Sequence, residues 1–287
     1  MGAAAVCWSQ SLHRYAWLPA AILIAGFHGN TDCLYAALVL VAVMAFDRQR
    51  YFLAGLLLAA ALNVKLIPLV LLPLVFIGSP NRKAPLRLTA GLAMGAAPFV
   101  VPALEAGHAM YRNMVGYNST ADNWGLLVIL NHCVGIPVLS KLAAATKDTY
   151  LVAGRYVVLA AVTGVALLSK GRSSRPMAEQ AALGAALFLL LTPGFGVQYV
   201  IFVAPLLCLV DVPEGLAWGW VSGLFIGVVY WTFRIAAAHY TSLFQSNFPF
   251  HAWAIGLAAW AILLHFVWRH RPSRVSKLEP QPSGALQ

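Results

Sequence analysis

The chain is 287 residues long, 61% hydrophobic and only 10% charged, with a mean hydropathy of +0.76. Water-soluble globular domains do not carry that balance, so the composition predicts a polytopic membrane protein and excludes a soluble enzyme. The formal net charge is +10, but the positive residues gather in short loops between apolar runs and no basic stripe carries interleaved aromatics, which reports topology and excludes nucleic acid as a partner.

Residues 1–14 read as an interfacial lead-in that ends at His13-Arg14. They have no basic n-region before an unbroken apolar stretch, so they do not form a secretory signal of the usual kind. Expected spans follow at 15–27 and 33–46, each shorter than the roughly 20 residues a perpendicular helix needs. Between them lies the polar element HGNTD, residues 28–32. The next two apolar runs, 51–62 and 66–78, flank Asn63-Val64-Lys65 and are read as a hairpin of two short spans. Charge decides this, because Arg48 and Arg50 before the pair and Arg82, Lys83 and Arg87 after it share the cytoplasmic side only if the chain crosses twice. Lys65 then stands at the outer face.

A fifth span is expected at 88–104, where Gly91, Gly95 and Ala96 form a small-residue pattern that lets helices approach closely. It leads into a polar outer segment, 105–124, with Glu105, His108, Tyr111, Arg112, Asn113, Tyr117, Asn118, Asp122 and Asn123. The apolar stretch 125–139 is broken by Asn131, His132, Gly135 and Pro137, and counting it as a crossing would put the basic cluster Lys170–Arg175 outside. It is therefore expected to be re-entrant or to lie on the outer face. Further spans are expected at 150–169, 178–191, 200–210, 215–233 and 251–268, with the outer turn TPGFGVQY at 192–199 and an outer loop at 234–250.

The fold class is thus all-α, a membrane helical bundle of about ten spans with both termini cytoplasmic. Residues 1–268 form one membrane domain, and 269–287 form a basic cytoplasmic tail whose composition predicts disorder. Six of the 19 Lys and Arg fall outside in this topology: Lys65, Arg112, Lys141, Lys147, Arg155 and Arg234. The four cysteines, Cys7, Cys33, Cys133 and Cys208, form no CxxC pair, and no His or carboxylate spacing supports a metal, so no cofactor is expected.

Ionisable groups near hydrocarbon are costly and mark functional sites by default. The outer face collects the carboxylates Asp32, Glu105 and Asp122, the imidazoles His28, His108 and His239, and the cations Lys65, Arg112 and Arg234. A carboxylate that takes a proton from a hydroxyl and cations that stabilise a departing phosphate are what transfer of a sugar from a lipid phosphate requires. Each position also has a plainer reading. Asn30 or Asp32 can cap the helix that starts near Cys33, Lys65 can snorkel to the headgroups, and the glycine-bearing turn at 192–199 can simply link two spans or offer amides to an anion.

The order HGNTD, apolar span, basic clip, "AGLLLAAALNVKLIPLVLLP" and, much later, "TPGFGVQYVIFVAPLL" resembles the C-type (GT-C) membrane glycosyltransferases, and among them the bacterial family 87 type, similar to polyprenol-phosphate-mannose-dependent mannosyltransferases. His28, Asn30, Asp32, Lys65, Gln198 and Tyr199 match its motif positions, over roughly residues 15–210. The resemblance implies transfer of a hexose, with inversion, from a polyprenyl-phosphate sugar to an acceptor outside the cytoplasm. It implies a bacterial inner-membrane location, with the polyprenyl-phosphate sugar and membrane lipid as partners. Asp32 and Asp122 are the expected catalytic carboxylates, and His28, Asn30, Lys65, Gln198, Tyr199 and Arg234 the expected substrate contacts. In the family several spans and an acidic first outer loop precede the HGNxD element, so this chain reads as N-terminally truncated. The rival class is a non-enzymatic lipid or solute transporter using the same polar residues along a pathway.

Overall fold

The computed structural model describes residues 13–27, 29–115, 124–170, 176–239 and 250–271, and every regular element among them is helical. Among the described residues a helical turn at 13–16 is followed by α1 (Pro19–Ile22) and a π-helical turn (Leu23–Phe27). It continues through α2 (Asp32–Asp47), α3 (Tyr51–Val64), a 3-10 turn (Ile67–Leu71), α4 (Leu72–Ile77), α5 (Lys83–Gly95), a second 3-10 turn (Ala97–Phe99) and α6 (Val100–Val115). Then follow α7 (Gly125–Val134), α8 (Ser140–Ser169), α9 (Met177–Leu191), a 3-10 turn (Val197–Tyr199), α10 (Val200–Val210), α11 (Val212–His239) and α12 (Phe250–His270).

Helices α8, α11 over 212–232 and α12 are long and apolar enough to cross a membrane, and α5 with residues 97–109 makes a fourth if its 44° bend is counted within one span. Others, among them α3, α7 and α9, are apolar but shorter. The molecule is a helical membrane bundle. Its centre is α9, buried at Met177, Ala178 and through most of Gln180–Leu190, with α10 beside it, buried from Val200 to Cys208. Helices that are apolar on all sides belong inside such a bundle, and α9 is surrounded by α2, α4, α8, α10 and α12. The rim helix α8 instead presents Val152, Tyr156, Leu159 and Leu168 outward, as lipid contact requires.

The small-residue pattern at Gly91 and Gly95 has a definite partner. A methyl on Gly91 would fall on the Phe52 carbonyl, one on Gly55 would fall on the Leu88 carbonyl, and one on Gly95 would meet Ala59 at 2.6 Å. The matched order of these contacts makes α3 and α5 a parallel pair in backbone contact. That geometry requires the chain to return between them, which it does through residues 66–77, as the hairpin reading of Asn63-Val64-Lys65 expects. Asn63 closes the pair by donating Nδ2 to the Gly95 carbonyl at 2.9 Å, one of the acceptors a helix end leaves over.

Contacts between loops define two ends of the bundle. At one end, Asp47 accepts hydrogen bonds from the amides of Met177 (2.7 Å) and Ala178 (3.2 Å). Gly78 lies against Met177, His270 meets Glu179 at 3.3 Å, and Arg269 reaches Asp211 and Glu214. The basic segments 48–50, 82–87 and 269–271 therefore collect at this end. At the other end stand Asp32, Lys65 and the turn at 192–199.

Several boundaries differ from the sequence reading. Helix α8 begins at Ser140, ten residues before the expected span. Tyr150 donates to the Leu191 carbonyl at 2.5 Å, so the first ten residues of α8 project past the end of α9 by about 15 Å. Helix α7 packs on α8, with Lys147 donating to Asn131 at 2.7 Å. The segment 125–139 is thus a ten-residue helix and a turn against this projection. The fifth expected span is interrupted after Gly95, because Pro98 in the 3-10 turn cannot donate to the helical ladder. Helical structure, kinked at Ala106, extends to Val115 across the segment expected to be a polar outer loop, and α11 runs on to His239. Residues 272–287, which hold most of the expected tail, lie outside the described residues.

Candidate functional site

Helix α2 starts at Asp32, with Thr31 at the N-cap and no side-chain cap bond. The capping reading of Asn30 or Asp32 is therefore corrected. Asn30 is half-buried and its amide bonds to the Ile24 carbonyl at 3.2 Å. The Asp32 carboxylate occupies the first turn of α2, where the helix dipole favours negative charge, and it is 1% exposed.

Its partner comes from α3. That helix ends at Val64, Lys65 turns extended, and Pro68 then holds the chain in the 3-10 turn. This break aims the lysine back along α2. Lys65 Nζ sits 2.7 Å from Asp32 Oδ1 and 2.7 Å from Oδ2, a two-point ion pair between residues 33 positions apart. The ammonium also stands 4.8 Å from the Tyr199 ring centroid and 5.8 Å from that of Tyr35, within the range at which an aromatic face attracts a cation. The Lys65 side chain keeps 24% of its surface exposed, against 1% for Asp32, so the lysine reaches the surface while the carboxylate is enclosed.

Tyr199 is placed by the turn at 192–199. Thr192 Oγ1 donates to the Gly194 carbonyl at 2.7 Å, and Pro193 packs on Gly154. Phe195 stacks on Trp124 at 4.3 Å with 8° between planes, while Trp124 Nε1 donates to the Leu189 carbonyl at 2.7 Å. The turn then closes with the 3-10 helix that sets Tyr199 over Lys65. The Gln198 carboxamide lies against Gly196.

The structure therefore brings Asp32, Lys65 and Tyr199 together, from three separate stretches of the chain. His28 and Asp122 lie outside the described residues. The backbone of Arg234 is in α11, and its side chain is outside the description. Glu105, His108 and Arg112 are exposed on α6. Tyr35 escaped the sequence reading, although its signal was there: it stands three residues after Asp32, on the same face of α2.

A cluster of possible metal ligands, Asp211, Glu214 and His270, sits at the opposite end, with ligand atoms within 4.8 Å of one another. Arg269 already binds both carboxylates, at 2.9 and 3.3 Å, so a cation is in place there.

A family model described as Glycosyltransferase family 87 matches residues 2–193, about two thirds of the chain and including both Asp32 and Lys65. The chain belongs to glycosyltransferase family 87. No curated protein and no solved structure matches it. For a family 87 chain the chemistry in question is glycosyl transfer, and the ion pair at the end of α2 and α3 falls within the matched region, whereas Tyr199 lies just beyond it.

Proposed function

We propose that this family 87 chain transfers a hexose, mannose first among the candidates, from a polyprenyl-phosphate sugar to an acceptor on the outer face of a bacterial plasma membrane. The reading is supported above all by the convergence of Asp32, Lys65 and Tyr199 at the end of the bundle away from the basic loops. By the positive-inside rule that end is the outer one.

In the proposed reaction the bond between the anomeric carbon and the phosphate oxygen breaks, and its electron pair leaves with the polyprenyl phosphate. The acceptor oxygen bonds to the opposite face of that carbon, and its proton passes to a carboxylate. Lys65 meets the charge that grows on the leaving phosphate, where a preplaced cation in a dry setting acts most strongly. Asp32 fixes the ammonium, and Asp122 takes the proton. His28, Asn30 and Gln198 contact the hexose, Tyr199 lines the ammonium, and Arg234 supplies a second cation.

The test is transfer of label from radiolabelled polyprenyl-phosphate-mannose by the purified chain in lipid nanodiscs with extracted membrane acceptors. Labelled product and free polyprenyl phosphate are expected, and Lys65→Gln should reduce kcat/KM about 100-fold. A wild type that makes no more product than Lys65→Gln would overturn the proposal. Transport of the unaltered donor across sealed vesicles would favour the transporter class instead.

A further inference from the structure

Three indoles pin the ends of the turn at 192–199. Trp124 donates to the Leu189 carbonyl at 2.7 Å, Trp260 to the Leu190 carbonyl at 3.1 Å and Trp218 to the Val200 carbonyl at 3.0 Å. The first two serve carbonyls that the last turn of α9 leaves over. Trp124 does one thing more. Its face stacks on Phe195, 4.3 Å between centroids and 8° between planes. Phe195 in turn meets Tyr199 edge-on at 6.3 Å, and the Tyr199 ring stands 4.8 Å from the Lys65 ammonium. Stacked and edge-on pairs at these separations attract, as does a cation over a ring.

The backbone is built for this insertion. Gly125 follows at φ +54°, and a methyl there would meet the Trp260 indole nitrogen at 2.9 Å. Left-handed backbone favours glycine, and here it lets the chain bury Trp124 and then leave as α7, which packs along α8. Trp124 and Phe195 are both buried, so truncating the indole opens a cavity directly beneath the Phe195 ring.

We propose that Trp124 is a positioning residue for Lys65, acting through Phe195 and Tyr199. The inference rests on the part given to Lys65 under Proposed function. A cation that meets growing charge works best when it is fixed beforehand, and a displacement of about 1 Å can cost 100-fold in rate. Asp32 holds the ammonium by charge, and the Tyr199 ring, backed by the stack, adds a second point of contact. Without the indole, Phe195 drops into the space it leaves, and Tyr199 withdraws from the ammonium.

The experiment is the transfer assay on the purified full chain in nanodiscs, with rates counted per folded chain. Trp124→Leu should lower kcat/KM about tenfold. Trp124→Phe, which keeps a ring beneath Phe195 and loses the bond to Leu189, should stay within about threefold of wild type. In a Tyr199→Leu background, where that ring no longer faces the ammonium, Trp124→Leu should cost less than about twofold more. If Trp124→Leu is not recovered folded, Phe195→Leu removes the same stack and should give the same pattern. Wild-type activity in Trp124→Leu would overturn the positioning role, as would a tenfold loss that persists without the Tyr199 ring. A Trp124→Phe as impaired as Trp124→Leu would overturn it too, by assigning the effect to the Leu189 bond. A second readout needs no donor. Trp124→Leu should lower Tm by at least about 2 °C more in the chain with Lys65 than in Lys65→Gln, because only the ammonium is drawn to the ring. Equal losses in the two backgrounds would overturn the role. If the wild type transfers no hexose while this difference stands, the reading of the reaction falls and the placement of Lys65 by Trp124 remains.

Discussion

Asp32 grips Lys65 through both carboxylate oxygens at 2.7 Å, yet the two side chains are buried to very different degrees, 1% and 24% exposed. Removing one partner should therefore not equal removing the other. Lys65→Ala takes the ammonium away from a buried carboxylate and should cost about 3–5 kcal/mol. Asp32→Asn leaves an ammonium that can turn outward on its long stem and should cost on the order of 1 kcal/mol. Unfolding of the two variants in matched detergent reads the difference, and equal losses would contradict the burial asymmetry.

The parallel α3–α5 pair should be intolerant of any side chain at its contact. Gly91→Ala places a methyl on the Phe52 carbonyl, where backbone has to give way, and should lower stability by about 1–3 kcal/mol. Gly164, on α8, has nothing within 4 Å of an added methyl, so Gly164→Ala should be neutral or slightly stabilising. Thermal unfolding of the two alanine variants side by side tests both halves of this expectation.

Asp47 stands in for a helix cap from a different part of the chain. Pro176, at the N-cap of α9, makes no side-chain cap bond, and Asp47 supplies the acceptor oxygens instead. Asp47→Ala should cost about 1 kcal/mol and should raise amide exchange at Met177 and Ala178, with little effect at the Asp32 end. Hydrogen exchange read by mass spectrometry separates this from a general loosening.

The C-terminal end of the last helix carries a cluster of polar contacts to the neighbouring loops. Arg269 bridges Asp211 and Glu214, His265 meets Glu214 at 2.9 Å and His270 meets Glu179 at 3.3 Å. Because Arg269 is more than half exposed, Arg269→Gln should weaken stability by no more than about 1 kcal/mol at low salt, and the difference should fade as ionic strength rises. Melting curves at two salt concentrations show whether it does.

Much of the architecture was legible because charge and helix length constrain a membrane chain tightly. The basic residues around 48–50 and 82–87 were enough to fold residues 51–78 into a hairpin, and the α2–α3 ion pair follows from that topology. Gly91 and Gly95 announced a close helix contact, although only the structure names Phe52, Leu88 and Ala59 as what lies against that pair. What escaped depends on partners distant in sequence. Lys141, Lys147 and Asp148 interrupt the hydropathy, so α8 read as starting at Tyr150, but Asn131 takes Lys147 and the helix continues through them. Asn63 read only as part of the polar break before Lys65, and its bond to the Gly95 carbonyl had no sign in the sequence. Trp124, at the end of a polar stretch, gave no sign that it would stack under Phe195 and brace the turn carrying Tyr199. Tyr35 was hidden in an apolar run, where a lone tyrosine reads as filler.

The backbone contact between α3 and α5 also bears on timing. With Gly55 and Gly91 pressed against facing carbonyls and Asn63 tied to Gly95, the main chain leading to Lys65 is braced along its length by α5. Any excursion of the ammonium then belongs to the rotations of four methylene groups and to the opening of its two bonds to Asp32, and calls for no domain motion. Engagement of a headgroup at this position would be paced by the lateral arrival of lipid, with the protein scaffold standing still.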